Sequence, residues 1–148
     1  MEGPGTAIEQ YFNRLIDMRL LTQVVVSDRQ GNTIVACFGT PQLAEVGDDV
    51  ANGDAYAAED QMMESNVVLS GARCFQSMEQ LRLDVPSYIS LQYHDDVVVQ
   101  SLDGCCMLTL IGCRSHGHFV GGLLVLLGQI RASGIYQELL EKTQECSL

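Results

Sequence analysis

The chain has 148 residues, a formal net charge of −11 and 47% apolar residues. A length of this order predicts one domain that builds its own hydrophobic core. The excess of 19 acidic over 8 basic residues argues against binding to nucleic acids or anionic membranes, because like charges repel. The N-terminus lacks a signal-peptide pattern, and the longest apolar run (residues 119–127) is shorter than the roughly 20 residues that a spanning helix needs. We therefore expect a cytoplasmic protein without direct membrane insertion, whose six cysteines stay reduced.

The first half of the chain predicts a helix followed by a β-hairpin. Thr6 and Glu9 fit a capping box, and apolar residues then recur at helical spacing to about Leu20. Strands are predicted at residues 22–27 and 33–38, joined by a polar turn. Residues 41–64 carry seven acidic residues and no basic one, so we expect a mobile loop at about 41–60.

The second half predicts a helix, three strands and a closing helix. The helix runs from about residue 60 to 81 and is apolar on two sides. Strands follow at residues 87–93, 97–102 and 105–112, and Asp103-Gly104 predicts a type I′ turn between the last two. Residues 119–127 could form a buried strand or a buried helix, and we predict one long helix to residue 142. Its glycines weaken it and would be most useful where the helix backbone packs closely on the sheet.

The resulting order, αββαβββα, predicts an α+β fold. Its sheet would have five mostly antiparallel strands, with helices on both faces. The sequence shows no internal repeat and no second domain, so residues 1–148 are expected to form one unit.

Three stretches of the sequence resemble the roadblock/LC7 superfamily, which has this element order. Residues 24–31 (VVVSDRQG) resemble the first hairpin of the family. Residues 87–93 (SYISLQY) and 97–100 (VVVQ) resemble its third and fourth strands, and residues 122–125 (GLLV) with 136–140 (YQELL) resemble its last helix. Within the superfamily the resemblance is closest to the MAP-kinase scaffold type of subunit found in the Ragulator complex. The long acidic stretch is the main departure from the family.

The resemblance implies a non-enzymatic adaptor that acts as a dimer and needs no cofactor. Its partner would be another roadblock-type protein, in a heterodimer or a homodimer. The pair would bind kinase and Rag-type small-GTPase components of MAP-kinase and mTORC1 signalling. Attachment to late endosomes or lysosomes would come through these partners.

The resemblance also implies where the partner binds. The third strands of the two subunits would pair edge to edge, and the second helices would pack together. An uncharged edge strand needs such a cover on physical grounds, and Gly71 would let a facing helix approach closely. The implied interface residues are Val67, Gly71, Cys74, Met78, Ser87, Tyr88, Ile89, Ser90, Leu91, Gln92 and Tyr93.

The strongest candidates for a chemical role are Cys113, His116 and His118, because thiolates and imidazoles bind zinc. A structural zinc site needs four ligands, and no fourth follows at a familiar spacing. The alternative is a polar loop in which Ser115 caps the last helix. Asp95-Asp96 is interpreted as turn chemistry, and no motif marks a Cys/His nucleophile pair, so we expect no enzyme.

Two alternatives to kinase scaffolding stay open at this point. One is a roadblock subunit of the dynein-light-chain type. The other is a profilin-, longin- or PAS-like module that binds a small molecule or a GTPase. Such a sensor needs polar groups inside an apolar pocket, and Ser90 and Thr109 are the main candidates for them.

Overall fold

The computed structural model describes residues 6–39, 66–84 and 86–147. In chain order these residues form α1 (Ala7–Asp17), β1 (Gln23–Asp28), β2 (Thr33–Phe38), α2 (residues 66–80), β3 (Ile89–Gln92), β4 (Asp96–Asp103), β5 (Cys106–Cys113), α3 (Val120–Ala132) and α4 (Gly134–Ser147). The short 3₁₀ turn Arg114–His116 connects β5 to α3. The acidic loop predicted at residues 41–60 lies outside the described residues.

The five strands form one sheet in the order β2-β1-β5-β4-β3. Every neighbouring pair in it is antiparallel. The three inner strands are buried along nearly their whole length, which is the pattern of strands covered on both faces. The predicted α+β class with a five-stranded antiparallel sheet is thus confirmed.

Within the described residues, helices cover the two faces of the sheet unequally. On one face α1, α3 and α4 share a cluster of 18 buried residues with the sheet, centred on side chains such as Phe12, Leu110 and Ile130. On the other face α2 packs over two clusters of five and three buried residues. No helix of the described residues has the length and apolar content required to cross a membrane.

The capping box predicted at the start of α1 is present. The Thr6 amide donates to Oε1 of Glu9 at 2.9 Å, and the Glu9 amide donates back to Oγ1 of Thr6 at 3.4 Å. The helix ends at Asp17, three residues earlier than predicted, because Arg19 takes a positive φ of 62°. The amide of Leu20 then donates to the Leu15 carbonyl at 3.2 Å, which closes the last turn.

The closing segment forms two helices, not the one long helix predicted. Ser133 is extended, with φ −76° and ψ 142°. Its hydroxyl donates to the Ile130 carbonyl at 2.7 Å and accepts from the Tyr136 amide at 3.3 Å. One side chain therefore ends α3 and begins α4, and serine favours such a position over a helix interior.

The glycines of this segment do not pack on the sheet, where they would be most useful. Gly121, Gly122, Gly128 and Gly134 are exposed, and a methyl group at any of them would meet no other residue within 4 Å. The buried side of α3 consists instead of Leu123, Leu126, Leu127 and Ile130.

The turn between β4 and β5 also differs from the prediction. Asp103 still pairs with Cys106, so the two turn residues are Gly104 and Cys105. Gly104 has a φ of 62°, whereas Cys105 is not among the described residues with positive φ. A type I′ turn needs positive φ at both turn positions, so this turn is of another type. Asp103 stays in the strand because Arg131 and Tyr136 bind its carboxylate.

Candidate dimerisation interface

The edge of the sheet at β3 is open among the described residues, where β3 pairs only with β4. The Tyr93 amide donates to the Asp96 carbonyl at 2.8 Å, which makes these two residues a hydrogen-bonded pair. Bonded and non-bonded pairs alternate along an antiparallel ladder. The backbone groups of Ile89 and Leu91 therefore point toward β4. Those of Ser90 and Gln92 point away from the sheet and can bond another strand.

The side chains of β3 divide between the two faces of the sheet. Ile89 and Leu91 are half-buried beside the clusters under α2. Ser90 and Gln92 are exposed on the opposite face, and the Gln92 amide oxygen accepts a hydrogen bond from the Arg114 guanidinium. No residue from 87 to 93 is charged at neutral pH. The strand's own side chains therefore carry none of the charge that commonly blocks strand addition, and the one charged group described on it is the Arg114 guanidinium bound to Gln92.

Helix α2 turns two of the predicted interface residues toward its own sheet. Val67 is 3% exposed and packs with Val98 and Ile111. A methyl group on Gly71 would lie 2.5 Å from Cδ of Gln100, so this glycine lets α2 approach β4 of the same chain. The small size of Gly71 thus serves packing within the chain.

The side of α2 that is open to a partner is carried by other residues. Cys74 and Met78 are half-buried, and in the turn that follows the helix the apolar side chains of Leu81 and Leu83 are 70% and 55% exposed. The predicted helix contact with a partner stays a prediction, and Cys74 and Met78 are the predicted residues placed to make it.

The C-terminus of α2 is closed by a Schellman motif. The Leu83 amide donates to the Met78 carbonyl at 2.9 Å, and the Arg82 amide donates to the Glu79 carbonyl at 3.0 Å. Arg82 has a φ of 61°, which is uncommon outside glycine. This turn directs the chain from α2 back toward the start of β3.

The first hairpin braces α2 from the side. Arg29 forms an ion pair with Glu79 at 2.6 Å, and its carbonyl accepts from Nε2 of Gln76 at 3.3 Å. The hairpin turn is held by Asp28, which accepts from the amides of Gln30 and Asn32 at 2.9 and 2.8 Å. These roles explain why the family-like stretch at residues 24–31 contains Asp followed by Arg.

The pKa of Asp28 follows from these contacts. Burial acts to raise the pKa of this carboxyl, but hydrogen bonds from the Asn32 side chain and from three turn amides outweigh it. The pKa of Asp28 is therefore lowered from its ordinary value of 3.8, and the carboxylate is ionised at neutral pH. Gly31 completes the turn with a φ of 98°.

The candidate metal ligands are engaged in other contacts. His118 is buried, and its Nδ1 accepts from the Cys113 amide at 3.0 Å. Its Nε2 lies 2.9 Å from the Arg19 carbonyl, to which it donates in the tautomer that these contacts require. Within the described residues, no three His, Cys, Asp or Glu side chains converge on a common metal position.

In the polar-loop alternative Ser115 would cap the last helix. In the structure Ser115 binds Asp95 instead. The N-cap residue of α3 is Phe119, which makes no side-chain cap. The Ser115 hydroxyl and amide donate to the two carboxylate oxygens of Asp95 at 3.0 and 3.2 Å, and Sγ of Cys113 lies 2.9 Å from Oδ2. Hydrogen bonds from Cys113 and then from Ser115 lower the pKa of Asp95 from its ordinary value.

The polar groups that a small-molecule sensor would use do not come together. Ser90 is exposed on the open edge, and its strand partner is Val99. Thr109 is buried under α2, where its hydroxyl accepts from Nε2 of Gln100 at 3.2 Å. The two residues lie on opposite faces of the sheet, so they cannot line one pocket.

Sequence reasoning missed Gln100, which links α2 to the sheet. It is fully buried, and its Nε2 also donates to the Val67 carbonyl of α2 at 3.1 Å. Its Oε1 has no hydrogen-bond partner among the described residues. A glutamine that directly follows three valines in a predicted strand (VVVQSL) was the available signal.

No protein-family model matches the chain, and no curated protein matches its sequence. Solved structures do match it. MglB from Myxococcus xanthus aligns with a TM-score of 0.59 and 12% identity, covering 96% of this chain and 98% of that one. An MglB with a tetrameric arrangement aligns with a TM-score of 0.56 and 14% identity over 93% of each chain. The gliding protein MglB from Thermus thermophilus aligns with a TM-score of 0.55 and 14% identity, covering 93% of this chain and 94% of that one.

These matches define the class of structure to which the chain conforms. It has a roadblock/LC7-like fold, as the resemblance of its sequence predicts.

Proposed function

We propose that this chain is a non-enzymatic adaptor that acts by pairing with a second roadblock-type chain. The observation that carries the proposal is the open edge of β3, where Ser90 and Gln92 present backbone groups that no other described residue pairs, in a strand without a charged side chain. Such an edge is an aggregation hazard unless another strand covers it. The outer side of α2 would complete the interface with Cys74 and Met78.

The assembled pair would organise MAP-kinase signalling and Rag-type GTPases of the mTORC1 pathway at late endosomes and lysosomes. This part of the proposal rests on the resemblance of residues 24–31, 87–93, 97–100, 122–125 and 136–140 to roadblock/LC7 proteins, and most of all to the Ragulator scaffold type of subunit. Membrane attachment would come from the partners. One of the structurally similar proteins, an MglB, is itself known in a tetrameric arrangement, which supports assembly as a mode of action for this fold.

The test is affinity purification of the tagged chain from its native cells, with partners identified by mass spectrometry. Three forms are compared: wild type, Ser90→Pro and Ser90→Val. Proline removes the outward amide of residue 90 but no bond to β4, and an edge strand tolerates it when that amide faces outward. Valine keeps the amide and favours a strand, so it controls for the loss of the serine side chain.

Wild type and Ser90→Val should recover a second small roadblock-type protein, followed by kinase and GTPase components. Ser90→Pro should lose all of them while remaining folded by circular dichroism. Equal recovery by all three forms would place the interface elsewhere. A wild-type chain recovered alone, and monomeric by light scattering, would refute the adaptor function.

A further inference from the structure

Lysine occurs once in the sequence. Of the 8 basic residues, Lys142 is the one lysine and the others are arginines, although lysine is among the commonest residues of soluble proteins. The two side chains differ in their chemistry, because the ε-amine of lysine accepts acyl groups whereas the guanidinium of arginine stays charged. Within this sequence, acylation of a side-chain amine can therefore take place at one position only.

Lys142 has no structural role in the part of the chain that the structure describes. It lies in the second half of α4, is exposed, and forms no ion pair or hydrogen bond with a described residue. Arg29 and Arg131, by contrast, bind the carboxylates of Glu79 and Asp103. Neither packing nor charge pairing therefore explains a lysine at position 142, and its amine is free to react.

The neighbours of Lys142 in α4 hold the helix so that this side chain is on its outer side. Leu139 and Leu140 pack against the large core cluster, and the Thr143 hydroxyl donates to the Leu139 carbonyl at 2.8 Å. Helix α4 shares this face of the sheet with α1 and α3, whereas α2 lies on the other face. A modifying enzyme can therefore reach the amine without displacing α2.

We propose that Lys142 is the acceptor site for a modifier of the ubiquitin type. In the transfer, the ε-amine attacks the carbonyl carbon of the thioester that joins the C-terminus of the modifier to a cysteine of the conjugating enzyme. An isopeptide bond forms and the carbon–sulfur bond breaks. The cysteine leaves as a thiol and takes up the proton that the amine loses.

The surroundings of Lys142 favour a protein modifier over a small acyl group. Acetylation acts by removing a charge and the contacts that this charge makes. Lys142 makes no such contact with a described residue, so acetylation would change little. A protein modifier acts through receptors of its own and requires only that the amine be accessible. The inference uses neither β3 nor α2, so it does not depend on the proposed function.

The test uses the full tagged chain in its native cells, with the proteasome inhibited so that modified species accumulate, and purification under denaturing conditions. Lys142→Arg keeps the positive charge and the helix propensity but removes the reactive amine. Gln129→Arg is the matched control, at an exposed position of α3. The readouts are the higher-mass species on denaturing gels and the Gly-Gly remnant that trypsin leaves on a modified lysine. Circular dichroism checks that both variants fold.

Wild type and Gln129→Arg should show higher-mass species that carry the Gly-Gly remnant on Lys142, and Lys142→Arg should lose these species. Species that persist at the same level in Lys142→Arg would overturn the proposal, because the modifier would then be attached to the N-terminal amine, a hydroxyl or a thiol. An acetyl group on Lys142 without the Gly-Gly remnant would overturn the class of modifier. A wild-type chain without any modified species under proteasome inhibition would overturn the site.

Discussion

The Tyr136 hydroxyl donates to Oδ2 of Asp103 at 2.8 Å, and this bond joins the start of α4 to the end of β4. Both residues are buried, and Tyr136 is fully so. The same carboxylate accepts from the Ser101 hydroxyl at 3.0 Å and forms an ion pair with Arg131 at 2.8 Å. A buried carboxylate with three partners fixes the corner between α3 and α4 that Ser133 creates.

Replacing Tyr136 with phenylalanine should destabilise the chain by about 1.5–3 kcal/mol, because it removes a hydrogen bond to a buried charged group. Urea unfolding followed by circular dichroism measures the change. Tyr11→Phe, at a half-buried position whose hydroxyl has no described hydrogen-bond partner, is the control and should leave the midpoint nearly unchanged. An unchanged midpoint for Tyr136→Phe would show that the bond contributes nothing net.

The pH dependence of the Tyr136 variant follows from the same site. Burial and the Asp103 carboxylate raise the pKa of Tyr136 above its ordinary value of 10. A raised pKa in the folded state means that the contribution is fully present below the unfolded pKa and is lost as pH rises. The stability difference between wild type and Tyr136→Phe should therefore narrow above about pH 10.

Gly71→Ala should destabilise the chain by about 1–3 kcal/mol, because its methyl group would displace Gln100 from its bonds to Val67 and Thr109. Gly128→Ala is the matched control, since it adds the same methyl group to an exposed helix position with open space. It should stabilise the chain by nearly 1 kcal/mol. Thermal unfolding of both variants gives the comparison, and a stabilising Gly71→Ala would contradict the close approach.

Asp95 makes a testable contribution to acid stability. Hydrogen bonds from Cys113 and Ser115 lower its pKa from the ordinary 3.8, so its contribution is present above that value and is lost as pH falls through the lower, folded pKa. Asp95→Asn should lower the urea midpoint at pH 6 more than at pH 3. If Ser115→Ala, which removes one donor, shows the same pH dependence, the two effects share one origin. A difference in urea midpoint between wild type and Asp95→Asn that is the same at both pH values would rule out this linkage.

The cysteines should differ in reactivity. Burial raises the pKa of the thiols of Cys37 and Cys106, and only the thiolate reacts with alkylating agents. At pH 8, iodoacetamide should modify Cys105, which is half-buried in the β4–β5 turn, well before its buried neighbour Cys106. A time course by peptide mass spectrometry measures the rates. The urea-unfolded chain is the control, and there the two rates should converge.

The element order was predictable because local patterns agree with the final fold. These patterns are local. They include the capping box at Thr6, the polar turn after β1 and the polar turn before β4, and each involves residues only a few positions apart. The break at Ser133 was not predictable in this way. Apolar spacing continues from α3 into α4 and hides the local signal of Ser133, while the docking of Tyr136 onto Asp103 adds a long-range contact that favours the bend.

The strand of the candidate interface was predictable from the sequence, but the direction of its backbone groups was not. The sequence indicates an uncharged strand near residue 90, whereas which amides face outward depends on the register with β4. The side of α2 that faces the sheet is set by the close contact between Gly71 and Gln100. These two residues are far apart in the sequence, so the contact could not be predicted from it. Long-range contacts of this kind leave no local pattern.

The unequal cover of the sheet by the described helices has a consequence for how fast the chain is degraded in the cell. Helix α2 rests on clusters of five and three buried residues, against 18 on the other face, so among the described elements it should be the first to open. A partner that binds only the closed form raises the free energy of unfolding by mass action. A copy without a partner would expose α2 more often to proteases and be degraded sooner. The abundance of this chain would then follow the supply of its partner, and surplus copies would be removed without a dedicated control.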